Sequence, residues 1–443
     1  MSAIIIKGRS DLRRNVIIFL VDCLRADVIE KCARKNLISG LVSFFRNRIE
    51  IKNIFSVAST TSPALASLLT GCYPYNHHVR TLYGYSLNPS LVTLPEILKS
   101  YGYQTEAYIT GPLFQPNGLS KGFDIFEYRQ RDSYVFSEWG DRLIEIFERK
   151  SNDPRFILIH FWELHFPKQI LPEYDSPFTL RNSYQKALLS LDSFFEQRLS
   201  KIDFKDSVLI LTGDHGEKIS QMEWIWSFYK KLFFKLFNIN KKPERIEYWA
   251  TFKKHIVNPL KHKAGDNSLK IGHGFSLKDD LIRIPLWIAN IGKANQIIPK
   301  KLYSQVDILP TILDMLDIPL RTELDGISAF SSLQHKSIYL EECISVKPDL
   351  KLVLKGVRTE DLKYVCMPFS ETQQEELYDL RNDPSEKNNL FHDKKSQMKI
   401  AEMRKLLAEF CIESPQDYLN GFSEEDGPDR ELIAQRLKQL GYF

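Results

Sequence analysis

The chain has 443 residues, 43% apolar and 26% charged, an ordinary balance for a globular protein with enough length to bury a large core. Sixty basic against 56 acidic residues leave a formal net charge of +4. That balance is too even to expect a nucleic-acid partner.

At the amino end, MSAIIIKGRSDLRRN has an apolar part too short for a secretory leader. No apolar run nears the roughly 20 residues that span a bilayer. The expected location is therefore the cytoplasm. Asn15–Asp22 (NVIIFLVD) is a continuous apolar run ending in an acid. Such a run suits a strand covered on both faces, as in a parallel sheet. The Asp22 carboxylate is placed to bind a divalent cation, with Arg25 and Asp27 able to pair beside it. Ser59–Gly71 (STTSPALASLLTG) predicts a loop entering a helix over Ser62–Leu69, with Pro63 in its first turn. A hydroxyl at that point faces free N–H groups that favour anions. It serves equally well as a plain helix cap.

Helical patterns follow around Leu94–Tyr101 and Val135–Lys150. Arg155–Phe161 (RFILIHF) is the next buried-strand pattern, and His160–Pro167 (HFWELHFP) carries Glu163 and His165 past its end. A helix is expected over Ser183–Lys201. Ser207–Thr212 (SVLILT) is a third strand, followed by Gly213-Asp214-His215-Gly216-Glu217. An acid and a histidine between glycines make a good metal-ligand pair. In open α/β sheets ligands lie at the carboxyl ends of strands, where these residues fall.

Ile219–Asn267 differs in character. Trp224, Phe228, Leu232 and Leu236 recur at spacing four, with Lys230, Lys231 and Lys235 among them. The segment interrupts two motifs and is read as an insertion over 219–267. Trp224–Phe237 is either a peripheral membrane contact that recruits an amphiphilic substrate or a helix packed on the core. Gly272-His273-Gly274 and Lys278–Pro285 come next, then a fourth apolar run, Ile284–Ala289 (IPLWIA), and a helix around Ile308–Leu316. From about Lys336 a strand-like SIYLEEC, a turn-rich stretch and a charged helix near Gln397–Phe410 suggest a smaller subdomain. The expected division is a catalytic domain over 1–335 and a C-terminal α+β subdomain over 336–443. Strand–helix alternation gives an α/β sandwich. Six scattered cysteines (Cys23, Cys32, Cys72, Cys343, Cys366, Cys411) form no Cys-x-x-Cys pair, so no disulfide framework is expected.

The order of these blocks resembles the sulfatase family of the alkaline phosphatase superfamily. NVIIFLVDCLRAD is similar to its opening strand and metal acid. TTSPALASLLTG stands where the family's signature normally begins with Cys or Ser. GLSKGFDIFEY, LTGDHGE, GHGFSLKDDLIRIPLWI, VDILPTILDMLDIP and ELYDLRNDPSEKNNL resemble further family blocks in the same order. The resemblance implies an alkaline-phosphatase-like sandwich with a large, mostly parallel central sheet. It also implies a divalent cation (Zn, Mn, Mg or Ca; one ion or two) held by Asp22, Thr61, Asp214 and His215. A second ion would draw on Glu163, His165 and His273. His165, His273 and Arg80 would face the ester, and Thr61 falls at the nucleophile position.

At Thr61 the chain departs from the family. The usual sulfatase nucleophile is a formylglycine made from Cys or Ser, within a motif that has an Arg four residues on. Here the residues are Thr61 and Leu65. Threonine cannot become that aldehyde, whereas a threonine hydroxyl beside a metal is the nucleophile of phosphate-transferring relatives. The expected activity is hydrolysis of a phosphate or sulfate ester of a small molecule, glycan or lipid, with phosphate favoured. The alternatives are a phospho-group transferase and a metal-binding homologue without catalysis.

Overall fold

The computed structural model describes residues 14–423, apart from 83, 114–116, 131–132, 176–181, 220–271, 292–296, 345–347, 373 and 411. The insertion read at 219–267, with its Trp224–Phe237 stripe, lies outside the described residues except for Ile219.

Eight strands form the main sheet in the order β4-β3-β5-β1-β6-β7-β2-β8. These are β1 (Asn15–Val21), β2 (Ile49–Phe55), β3 (Gln104–Ile109), β4 (Ile125–Tyr128), β5 (Arg155–Phe161), β6 (Ser207–Gly213), β7 (Arg283–Ala289) and β8 (Tyr303–Ser304). From β4 across to β6 every neighbour is parallel. β7 runs antiparallel to both β6 and β2. The apolar run at Ile284–Ala289 is therefore a strand as expected, but a reversed one. The reversal has a consequence for the site. The amino end of β7 lies at the same sheet edge as the carboxyl ends of β1, β5 and β6. His273 precedes its strand while Asp22 and Asp214 follow theirs, and all three arrive at one edge.

β1 is buried on both faces because its residues alternate between two cores. Val16, Ile18 and Leu20 point to one core. Ile17, Phe19 and Val21 point to the other. The first core is closed by α3 (Thr61–Thr70), α5 (Leu94–Ser100) and α9 (Ile308–Met315), through residues such as Leu65, Leu68, Leu98 and Ile312. The second is closed by α1 (Ala26–Arg34), α2 (Ser39–Phe44), α6 (Glu138–Glu148) and α7 (Ser183–Gln197), through Ile29, Leu41, Leu143 and Leu188. β2 carries no continuous apolar run. Glu50, Lys52 and Asn53 are exposed, and Asn53 takes a positive φ of 56° where the pairing with β7 shifts register. Near the sheet edge such a bulge is tolerated.

A second sheet, antiparallel throughout, has the order β12-β11-β10-β9. It comprises β9 (Ile338–Cys343), β10 (Val353–Arg358), β11 (Leu362–Cys366) and β12 (Glu375–Asp379), with α10 (Gln397–Phe410) packed against Val357, Tyr364 and Leu377. The stretch read as turn-rich thus contains three short strands. Charged residues inside them conceal the pattern. Lys363 is fully buried and donates to the Leu277 carbonyl at 2.8 Å, and it pairs with Asp279 and, at 2.8 Å, with Glu386. Arg358 meets Asp279 at 3.0 Å. These ion pairs strap the small sheet to the segment that carries His273. Among the described residues no helix is long and apolar enough to cross a membrane.

Phe19 sits at the centre of an aromatic cluster, with ring centroids of Phe44, Phe45, Phe147, Phe161 and Phe195 between 5.4 and 6.1 Å away. Phe19→Ala is expected to cost about 3–5 kcal/mol of unfolding free energy. The urea midpoint at constant slope reads it. An unmoved midpoint would contradict a close-packed second core.

Candidate metal and ester site

Val21 pairs with Gly213 across β1 and β6, and with Phe161 across β1 and β5. Asp22 and Asp214 therefore leave neighbouring strands side by side, and His160 enters from β5. Thr61 opens α3 from the first-core side of the same edge. Its hydroxyl lies 3.3 Å from Asp22 Oδ2 and 3.3 Å from His215 Nε2. His215 Nε2 lies 3.3 Å from Asp214 Oδ2, and His160 Nε2 lies 3.5 Å from Asp22 Oδ2. Asp22, Thr61, His160, Asp214 and His215 are all fully buried.

Backbone carbonyls fix the direction of every imidazole at this edge. Nδ1 of His160 faces Thr110 O at 3.1 Å, His165 faces Phe166 O at 2.7 Å, His215 faces Gly216 O at 2.8 Å and His273 faces Ser59 O at 3.2 Å. A carbonyl only accepts, so Nδ1 carries the hydrogen and the neutral ring is left with a lone pair on Nε2. His160 and His215 turn that lone pair toward carboxylates. His165 stacks on Trp162 at 3.8 Å, 5.2 Å from the ring of His273, which is 4.2 Å from that of His215.

Acceptors thus face acceptors. Asp214 Oδ1 takes N–H groups from Cys23 at 3.1 Å and His215 at 2.7 Å, but its Oδ2 has no hydrogen-bond partner, and neither does His160 Nε2. A divalent cation between them would satisfy this arrangement. The separations of 3.3–3.5 Å are those of donors around one ion, since a tetrahedron with arms of about 2.1 Å has edges of about 3.4 Å. Two overlapping donor groups converge within 4.8 Å: Asp22, His160 and Asp214, and Asp22, Cys23, His215 and His273. Oxygen and imidazole donors fit Zn or Mn and admit Mg or Ca.

The two carboxylates divide their charge unequally. Burial alone would raise Asp22, but the imidazoles around it, His160 first and then His165 and His215, hold it far below the usual carboxylate range. Burial and the neighbouring Asp22 charge push Asp214 up to about 6. Burial disfavours a charged His215, yet Asp214 and Asp22 overcome it and raise the imidazole. Burial brings His165 down to about 4 and depresses His273 well below its ordinary value.

Two residues read as site candidates are committed elsewhere. Glu163 Oε1 accepts from Arg129 Nη1 at 2.7 Å and from Val135 N at 3.0 Å, while Oε2 accepts from Trp162 N at 2.8 Å. Both oxygens thus accept hydrogen bonds, and Glu163 belongs to neither group of converging donors. Arg80 lies buried between Glu341, at 2.9 Å, and Glu413, against the Tyr418 ring. It ties the C-terminal segment to the core, its guanidinium turned to these two carboxylates. Arg25 does pair with Asp27, through two bonds of 2.9 Å, and donates to the Glu217 carbonyl.

Other contributors were not singled out from sequence. His160 lies within the apolar run Arg155–Phe161 and at the head of the HFWELHFP motif, where the sequence assigns it no role of its own, although an imidazole at the end of a buried run is a signal. Cys23 takes a positive φ of 62° and sets its thiol 2.8 Å from Asp22 Oδ1. Glu342, on β9, holds the loop before Thr61. Burial pushes it up to about 7 despite hydrogen bonds from Ser59. Nothing in SIYLEEC marks its reach across the molecule.

A parallel-centred α/β sandwich with a metal-type carboxylate–imidazole–threonine cluster at one sheet edge defines a member of the alkaline phosphatase superfamily. A family model described as sulfatase matches residues 14–318, and one described as N-sulphoglucosamine sulphohydrolase, C-terminal, matches residues 275–413. The chain belongs to the sulfatase family. It is 26% identical over 326 residues to N-acetylglucosamine-6-sulfatase of Homo sapiens, an alignment covering 62% of this chain and 56% of that one. It is 30% identical over 184 residues to Delta 4,5-hexuronate-2-O-sulfatase of Bacteroides thetaiotaomicron, covering 36% of this chain and 38% of that one. The chain thus spans only about half, or less, of the length of these relatives. The fold is similar to that of a phosphonate monoester hydrolase of Agrobacterium radiobacter (TM-score 0.64, 16% identity, 89% of this chain and 95% of that one). It is similar also to a protein solved with its substrate D-glucosamine-2-N,6-O-disulfate (TM-score 0.61, 16% identity, 93% and 100%).

The raised Asp214 gives a pH test of the cation. Between its ordinary 3.8 and about 6 the folded protein holds a proton there that the unfolded chain releases, so without metal the stability from this group is lost as pH rises through about 6. A divalent cation bound there would take the place of that proton. Added Zn or Mn is expected to raise Tm more at pH 7.5 than at pH 5. Equal gains at both pH values, or none at either, would count against a cation between the carboxylates.

Proposed function

We propose that the protein is a metal-dependent hydrolase of phosphate esters in which Thr61 is the nucleophile. The observation that carries this reading is the placement of a fully buried threonine hydroxyl 3.3 Å from both Asp22 and His215, at the first residue of a helix. When bound by Asp22, Asp214, His215 and Thr61, a divalent cation supplies Lewis-acid neutralisation of developing charge and makes the hydroxyl more acidic.

The chain's own residues do the rest. Thr61 Oγ1 forms a bond to phosphorus while the bond from phosphorus to the ester oxygen breaks, in line. The free N–H groups of the first turn of α3 favour the anion there. The Thr61 proton passes to an inward-facing Nε2 of His273 or His165, which are neutral and can accept it, and then to the departing alcohol oxygen. In the second half, water attacks the phosphothreonine. Its proton returns through the same imidazole to Thr61 Oγ1, and inorganic phosphate leaves.

The preference for phosphorus follows from position 61. The relatives named as sulfatases act on sulfate esters, and one structural neighbour is named for phosphonate monoesters, so this scaffold serves both elements. The formylglycine route needs Cys or Ser and an Arg four residues on. Thr61 and Leu65 provide neither.

A panel of aryl phosphate mono- and diesters and aryl sulfates, each with Zn, Mn, Mg or Ca, tests the reading. A phosphate ester should be turned over with at least one cation, and aryl sulfates more slowly. Thr61→Ala should lower kcat by at least about 10³-fold with the Tm retained. Full activity in that variant, or a preference for sulfate over every phosphate ester, defeats it.

A further inference from the structure

We infer that Glu342 is a positioning residue for the Thr61 hydroxyl and the His273 imidazole together, acting through Ser59. The inference rests on the Thr61 reading given above.

Glu342 lies on β9 in the small sheet and is 1% exposed. Its Oε2 accepts from Ser59 N at 2.7 Å and Ser59 Oγ at 2.8 Å. Its Oε1 accepts from Thr60 Oγ1 at 3.2 Å and Cys343 N at 3.0 Å. Three of these four donors belong to the two residues just before the nucleophile. Thr60 occupies the N-cap position of α3 with extended backbone, φ −135° and ψ 150°, yet its side chain makes no cap bond. The hydroxyl that would ordinarily turn to the helix N–H groups is turned to Glu342 instead. The start of the helix is therefore set by a carboxylate from another sheet.

Ser59 is gripped from the other side as well. Its carbonyl accepts from His273 Nδ1 at 3.2 Å and from Gly274 N at 3.1 Å. That contact aims the His273 Nε2 into the site. One buried carboxylate thus holds one residue, and that residue orients both the attacking hydroxyl, two positions on, and the imidazole that handles its proton. Glu341 provides an internal contrast. Adjacent strand residues point to opposite faces, and Glu341 pairs with Arg80 at 2.9 Å, away from the nucleophile loop.

Glu342→Gln keeps the volume but replaces an acceptor oxygen with an NH2 group, so the backbone N–H of Ser59 or of Cys343 meets another donor, and the hydroxyls of Ser59 and Thr60 must turn to suit it. Displacement of a nucleophile by about 1 Å can cost about 10²-fold. The expected result is a fall in kcat of about 10²-fold with KM within twofold of wild type, measured per folded molecule on the best phosphate ester of the panel. Ser59→Ala, which removes one donor and keeps the backbone, should lower kcat in the same sense by a smaller factor. It decides the matter alone should Glu342→Gln not fold. Glu341→Gln should lower Tm but leave kcat within twofold.

A readout independent of turnover is the His273 Nδ1–H resonance in protein labelled with 15N-histidine. It should be protected from exchange in wild type and Glu341→Gln, and broadened or lost in Glu342→Gln. Wild-type kcat in both Glu342→Gln and Ser59→Ala, or an unchanged His273 resonance in Glu342→Gln, overturns the inference. If instead Thr61→Ala keeps full activity, or wild type turns over no ester, the Thr61 reading fails, and the His273 resonance still decides whether Glu342 orients the imidazole.

Discussion

Two carboxylates buried against each other govern this molecule. Asp22 and Asp214 end adjacent parallel strands, both are fully buried, and their donor atoms converge within 4.8 Å. At an effective dielectric of 20, two unit charges at that separation repel by about 3–4 kcal/mol. The protein does not separate them. It draws one carboxylate far down, lets the other rise to about 6, and surrounds both with imidazoles whose hydrogens are turned away to carbonyls. Lone pairs aimed at one another in a protein interior call for a positive charge between them, which is what the proposed cation would supply.

That constraint explains the order of strands. The parallel strands β5, β1 and β6 deliver His160, Asp22 and Asp214 to one edge. The reversed β7 lets a segment that precedes its strand deliver His273 to the same edge. Continuous apolar runs made β1, β5 and β6 legible in the sequence, because a central strand must be apolar on both faces. β2 was not legible, since near the sheet edge Glu50, Lys52 and a bulge at Asn53 replace the run. The strands of the small sheet were hidden for another reason. Lys355, Arg358 and Lys363 look like surface residues in sequence, but each is buried in an ion pair whose partner is distant in the chain.

The site divides along the same line. Asp22, Asp214, His215 and Thr61 were legible because each sits at the boundary of an element that its neighbours define. Glu163 and Arg80 were misplaced because a charge near a site looks the same in sequence whether it faces a ligand or a buried counter-charge. Burial decided between these, and burial of a charge depends on Arg129 and Val135 in one case and on Glu341 and Glu413 in the other. Glu342 is the opposite case, a residue with no local mark that is joined to the loop before Thr61 only by tertiary structure. The small sheet is consequently more than an appendage. Its buried pairs at Asp279 brace the His273 segment, and its Glu342 braces the loop before Thr61.

The nature of residue 61 bears on how far a family name reaches into chemistry. A fold positions groups, while the reaction belongs to the groups themselves. Threonine is β-branched and stiff at χ1, and at the first turn of a helix its hydroxyl has few directions available. Here it takes the one that faces Asp22 and His215. An aldehyde hydrate can expel a sulfate through one of its own oxygens. A threonine ester has no such second oxygen and must be released by attack from outside. On the proposed Thr61 route that requirement would fall to the imidazoles of His165 and His273: the second half of such a reaction needs a base for water, and burial favours the neutral form of both rings, which can accept a proton.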